Sequence, residues 1–261
     1  TGTESDALAF RFMTASNPLM VVTGGSRGIG AATSRLGATR GYRVAVGFHA
    51  NGAEAEAVVG EIHQTGGEAK AFPLDVADPA SVERFFADID RDMGRPQALV
   101  NGAGMTGRAC GILNLTPDIA GQVIGVNLLG ALYCVRAAAL RMSATRGGAG
   151  GAIVNISSET ARFGGNRMSA YASAKAGINA LTVAVARELA EEGIRINAVS
   201  PGVIDTGQNA DLSPEPREHL VKSIPLKRMG QAEEVAEAIL WLLSEQASYV
   251  TGSILPVNGG R

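Results

Sequence analysis

Cysteine is scarce in this 261-residue chain, which holds only Cys110 and Cys134. Two in a chain this long make no disulfide framework, so both read as small buried hydrophobes in a reducing cytoplasm. A basic excess is missing too: 23 lysines and arginines face 25 acidic residues, a formal net charge of −2. That balance offers no electrostatic footing for a nucleic acid or an anionic membrane surface. No apolar run approaches the roughly 20 residues that a membrane-spanning helix needs. His49, His63 and His219 show no ligand spacing, which speaks against a metal site. Residues 1–17 lack a secretory signal's basic start and long apolar stretch, and are set aside as an N-terminal extension to one domain over 18–261.

Glycine, by contrast, counts 34, and apolar residues make up 46% of the chain. From Leu19 onward, short apolar and often β-branched runs alternate with amphipathic stretches. The runs fall at 19–23, 43–48, 69–74, 98–101, 152–157, 194–200 and 253–257. Strands buried on both faces have this composition. Helical patterns occupy 28–40, 52–65, 79–93, 118–146, 169–192 and 231–244. Gly41, Gly66-Gly67, Gly94 and Gly193 stand where helices should stop. Strands separated by helices make βαβ units. The expected fold is therefore a single doubly wound α/β domain, with a seven-stranded parallel sheet and helices on both faces. Residues 205–228 are polar, carry three prolines and break the rhythm. They read as a mobile lid or substrate loop.

Directly after the first run comes Thr23-Gly24-Gly25-Ser26-Arg27-Gly28-Ile29-Gly30. Glycines so spaced allow a tight turn, a close approach of backbone to a pyrophosphate, and close contact between strand and helix, as in Rossmann-type dinucleotide sites. A helix opening near Gly28 would aim its N–H groups and positive dipole end at phosphates. Charge then chooses the nucleotide. NAD sites place an acid near the end of the second strand to hold the ribose hydroxyls. Here no acidic residue occurs from Ala7 through Ala53, and the strand ends in Gly47-Phe48-His49. Arg27 can reach a 2′-phosphate, with His49 as a helper, so NADP is favoured and NAD is the alternative. Asp75, followed by Val76, ends the third strand, where it could accept from an adenine amino group.

Tyr171 and Lys175 in Tyr-Ala-Ser-Ala-Lys stand one helical turn apart, on one side of a helix. Ser158 lies just past the fifth strand, at the sheet end where ligands of open α/β folds sit. A free tyrosine, with a pKa near 10, is a poor base at neutral pH; a nearby ammonium lowers that value. Ser158 could hold a substrate oxygen beside the phenol.

With these residues in order, the chain resembles the short-chain dehydrogenase/reductase family over residues 19–261. TGGSRGIG (23–30), NGAG (101–104), Asn127 in VNLLG, Ser158, YASAK (171–175), PGVIDT (201–206) and VTGSILPVNGG (250–260) carry the resemblance. It implies Tyr171 as general acid/base, Lys175 as its partner and ribose ligand, and Ser158 as the carbonyl-oxygen donor. Asn127 would support a proton-relaying water. Asn101, Ala103 and Gly104 would line the adenosine side, and Pro201, Gly202, Ile204 and Thr206 the nicotinamide side. One departure is Gly102, where the family usually carries a second asparagine; a sheet-steadying hydrogen bond should be absent there.

The pattern is similar to 3-oxoacyl-carrier-protein reductases and glucose dehydrogenases of that family, which leaves the carbonyl or alcohol substrate open. Phe163 and Met168 could give an apolar wall; Arg162 and Arg167 read as solvated charges or as an attraction for an anion. The resemblance also implies a homotetramer, through the long helices and the strand Ile254–Val257. The competing readings are an NAD-linked sugar or alcohol dehydrogenase and a non-catalytic dinucleotide sensor. The sensor does not need Ser158, Tyr171 and Lys175 together.

Overall fold

Apolar β-branched runs form strands only when neighbours pair their backbones, and each of the seven runs finds two neighbours or an edge. The computed structural model describes residues 17–206, 218 and 220–261. All of the N-terminal extension but Asn17, and 207–217 and 219 of the expected lid, lie outside the described residues. The strands are β1 (Leu19–Thr23), β2 (Arg43–Phe48), β3 (Ala69–Pro73), β4 (Ala98–Asn101), β5 (Gly151–Ile156) and β6 (Ile194–Pro201). Two short strands follow, β7 (Ile204–Asp205) and β8 (Gly230–Gln231), and then β9 (Ile254–Val257). The main sheet has the order β3-β2-β1-β4-β5-β6-β9, with every pair parallel. The chain runs outward from β1 to β3, then crosses back to β4. That reversal between β1 and β4 is a switch point, where ligands of open α/β sheets bind.

The helices are α1 (Gly28–Thr39), α2 (Gly52–Gln64), α3 (Pro79–Asp92), α4 (Pro117–Ile124), α5 (Gly130–Met142), α6 (Thr160–Phe163), α7 (Ser169–Leu189) and α8 (Ala232–Leu243). Side chains of β1 alternate between two cores, as a two-residue period requires. Met20 and Val22 join Val58, Ile62, Val235 and Ile239 from α2 and α8. Leu19 and Val21 join Phe85, Phe86 and Ile89 of α3 and Cys134 of α5 on the opposite face. Helices cover both faces, which is why β1 and β4 are buried throughout, down to the polar Thr23 and Asn101 at their ends.

Three details differ from the sequence expectation. The helix expected over 118–146 is α4, a π-helical turn Gly125–Leu129, then α5, with a 3-10 turn at Ala144–Arg146. The Asn127 side chain donates to the carbonyls of Val123 and Met105, both at 2.8 Å, and so engages the helix wall where the coil widens. The β7–β8 pair, Ile204 opposite Gly230, was not foreseen, because two residues carry no periodicity. Finally, Pro117–Met142 does meet a length and composition test for a membrane span, with a mean hydropathy of 1.8. Its buried face carries Val123, Asn127, Cys134, Val135 and Met142, as in a core helix laid on a sheet.

Candidate active site

Glycine shapes the start of the site. Gly24 has φ +66°, and a Cβ there would fall 2.9 Å from the backbone of Ala103. A Cβ on Gly30 would lie 2.2 Å from the carbonyl oxygen of Gly24, so the loop closes on itself only without side chains. Gly28, at φ +53°, faces the Thr206 methyl at 3.5 Å from where its Cβ would be. Arg27 precedes α1 in extended conformation (φ −152°). No side chain caps this helix and no acid stands in its first turn, which leaves its N-terminal dipole unanswered. Arg27 is exposed, Ser26 is half-buried, and Ile29 packs on the core.

Neighbouring strand ends add the next group. His49 Nε2 lies 3.8 Å from the carboxylate of Asp75 across the ends of β2 and β3. Asp75 also accepts from the N–H of Ala77 at 2.9 Å. Val76 is buried under Gly130, whose absent Cβ would lie 2.7 Å from it. Gly104 passes so close to Asn127 that a Cβ would meet its side-chain oxygen at 2.8 Å. Asn101 turns inward instead of toward the cleft: its amide donates to Asn155 at 2.9 Å and to the Ala131 carbonyl at 3.3 Å.

Tyr171 and Lys175 project from the first turns of α7, the longest helix described here, at 21 residues. Lys175 is buried; its ammonium donates to the Ile156 carbonyl at 2.6 Å and lies 5.7 Å from the Tyr171 ring centre. The Ser158 hydroxyl lies beside the Tyr171 phenol, near enough to affect its titration. Ser158 Oγ accepts from the N–H and the hydroxyl of Thr160, at 3.2 and 2.9 Å. Burial raises the Tyr171 pKa, and the neighbouring Ser158 hydroxyl opposes that in part. Burial pushes Lys175 down from 10.5 to about 8. In the chain alone, desolvation of the phenol is the larger effect, and the ammonium points to the Ile156 carbonyl. Asn127 is fully engaged with Met105 and Val123.

A family model described as enoyl-(acyl carrier protein) reductase matches residues 24–261. The chain belongs to the short-chain dehydrogenase/reductase family. It is 44% identical to an uncharacterized oxidoreductase, YgfF, of Escherichia coli over 93% of its length and 99% of that relative's. It is 38% identical to the 3-oxoacyl-[acyl-carrier-protein] reductase FabG of Staphylococcus aureus (92% and 96% covered). The human 3-oxoacyl-[acyl-carrier-protein] reductase is also 38% identical (92% and 95% covered). As a member, this dehydrogenase/reductase is an oxidoreductase of carbonyl and CH–OH groups that uses a nicotinamide dinucleotide.

The remaining expected residues of the dehydrogenase/reductase close the site from the side of β6. Gly202 donates to the Val257 carbonyl at 3.0 Å, and a Cβ on it would strike Asn258 at 2.8 Å. The Glu159 N–H donates to the Pro201 carbonyl at 3.1 Å, which ties the Ser158 loop to this turn. Ile204 is buried, and Thr206 faces the glycine loop.

Sequence reading missed Thr23, Asn155 and Thr182. Thr23 Oγ1 accepts from the N–H groups of Gly102 and Ala103, both at 3.1 Å. Asn155 links Asn101 to Thr182 of α7 at 2.9 Å. The looseness expected from Gly102 is therefore answered by bonds from Thr23 and Asn155. A Cβ at 102 would lie 2.7 Å from the Thr23 carbonyl oxygen, so the turn itself takes glycine. A lone asparagine within the apolar run Ala152–Ile156 was the available signal. Among the described residues, no three His, Cys, Asp or Glu side chains gather for a metal. A groove of about 390 Å³ lies at the opposite end of the sheet, between Gly151, Ile194 and Thr251. Its arginine, Arg195, is spent on the carbonyls of Leu242, Leu243, Ser244 and Val250.

Proposed function

We propose that this chain reduces a ketone or aldehyde with NADPH, with Tyr171 as the proton donor. The observation that carries this is the placing of Tyr171 beside Ser158 and the buried Lys175 ammonium, at the switch-point end of the sheet. The glycine loop fits a dinucleotide: Gly24 and Gly30 leave no room for a Cβ against the neighbouring backbone, so the turn stays tight, and the dipole of α1 points out of it uncapped. When bound, the nicotinamide supplies the hydride.

The chain's own residues do the rest. Ser158 and Tyr171 donate hydrogen bonds to the carbonyl oxygen and so bind it where negative charge develops. Tyr171, with its pKa raised, carries its proton at neutral pH and gives it to that oxygen. The Lys175 ammonium then stabilises the phenolate left behind. Asn127 fixes the 105 turn over Lys175, with a proton-relaying water as its proposed charge. Arg27, exposed and without a carboxylate partner among the described residues, supports NADP. Asp75 favours the NAD-linked dehydrogenase as the second reading, because it brings a carboxylate beside His49. The working form is a homotetramer in a reducing compartment such as the cytoplasm, consistent with the two buried free thiols.

Tyr171→Phe should lower kcat/KM for ketone reduction by about 10²–10⁴-fold while NADPH binding, read by fluorescence titration, persists. Near-normal turnover would overturn the assignment. Arg27→Ala should weaken NADPH binding about tenfold or more and leave NADH nearly unchanged, since only the former offers a phosphate. Equal losses for both nucleotides would favour the NAD reading.

A further inference from the structure

Arginines elsewhere on this molecule are commonly answered by carboxylates. Arg35 meets Glu61, Arg141 meets Asp90, and Arg228 meets Glu234. Two arginines near the phenol depart from that habit. Arg108 lies in the loop after β4, and Arg167 in the loop before α7. Both are exposed, and among the described residues neither has an ion-pair partner. The two loops are joined where the Cys110 N–H donates to the Arg167 carbonyl at 3.0 Å. Arg167 also sits at φ +62°, a left-handed conformation that a side chain adopts only when its surroundings hold it there.

Both arginines line one small cleft whose wall includes Tyr171, together with the apolar Leu115, Ile119 and Met168. Among the described residues, no carboxylate lines that cleft. Two cations at one mouth repel each other and concentrate anions from solution. Guanidinium forks match the paired oxygens of carboxylates and phosphates.

We propose that the carbonyl substrate carries a carboxylate or phosphate-ester group, which Arg108 and Arg167 bind while the carbonyl lies at Tyr171 and Ser158. The pair then determines specificity, and the apolar wall faces the carbon chain between the two ends. This inference rests on the reductase reading.

Matched probes test it: levulinate against its methyl ester, and dihydroxyacetone phosphate against dihydroxyacetone. The wild type should favour at least one anion over its neutral partner by about tenfold in kcat/KM, chiefly through KM. In Arg108→Gln/Arg167→Gln that ratio should fall toward one, with NADPH binding as the check on folding. The arm that shows the preference identifies the carboxylate or the phosphate. A wild-type ratio at or below one in both arms, or a ratio unchanged in the double variant, overturns the proposal. If the wild type binds NADPH yet reduces none of the four, the reductase reading fails instead. Ligand-observed NMR with levulinate and inorganic phosphate then decides the arginine pair: binding lost in the variant supports it, and equal or absent binding overturns it.

Discussion

Lys175 is an ammonium removed from water and given one carbonyl in return. Burial lowers its pKa from 10.5 to about 8, so the cation is secure at pH 7 and is lost as pH climbs through 8. The phenol is displaced the other way, which keeps Tyr171 protonated over the same range. That protonation state suits the proposed reduction at neutral pH. The apparent second-order rate constant for NADPH reports groups on the free enzyme. It should be level below pH about 7 and decline above about 8. In Lys175→Arg the decline should move upward or vanish, because a guanidinium does not titrate there. A wild-type profile flat to pH 10 would contradict this account. The i, i+4 spacing of Tyr171 and Lys175 was legible in the sequence because a helix fixes it. The depth of Lys175 and its contact with Ile156 were not, since they depend on β5 passing beneath α7.

At the scale of elements, the strands were legible because burial on both faces demands unbroken apolar runs. The π turn was not, because one extra residue in a coil leaves the apolar pattern nearly intact while re-aiming Asn127. Also invisible was the polar chain Asn101–Asn155–Thr182, which crosses from β4 through β5 to α7 inside the core. This chain ties the helix bearing Tyr171 to the sheet. Asn155 is fully buried and serves both neighbours, so removing it strands donors and acceptors that water cannot reach. Asn155→Ala should therefore cost about 2–3 kcal/mol in denaturant unfolding, more than the loss of one ordinary hydrogen bond. A change below about 0.5 kcal/mol, the size of a neutral surface substitution, would show that the chain does not hold the helix.

Over the described molecule, one end of the sheet gathers the glycine loop, the tyrosine and the arginine pair, and two of its outer apolar surfaces suit contacts between chains. The first is helical: Leu129 and Leu132 at the head of α5 are 41% and 40% exposed, and Val183 of α7 is 38% exposed. The second is the edge strand β9, half-buried at Ile254, Leu255 and Val257 and paired on one side only. Unpaired strand edges and apolar stripes are costly in water and are commonly covered by a partner. Two separate self-complementary surfaces on one chain generate a tetramer with three two-fold axes, which is the assembly proposed for this protein. The number of surfaces makes the expectation sharp. A charge placed on the helical surface should remove one contact and leave the β9 contact, provided each buries about 800 Å² per chain. Leu132→Asp should therefore sediment as a dimer of intact fold, while the wild type sediments as four chains. A wild type that runs as a monomer at micromolar concentration would remove the tetramer. A variant that falls straight to monomers would show that β9 forms no interface of its own.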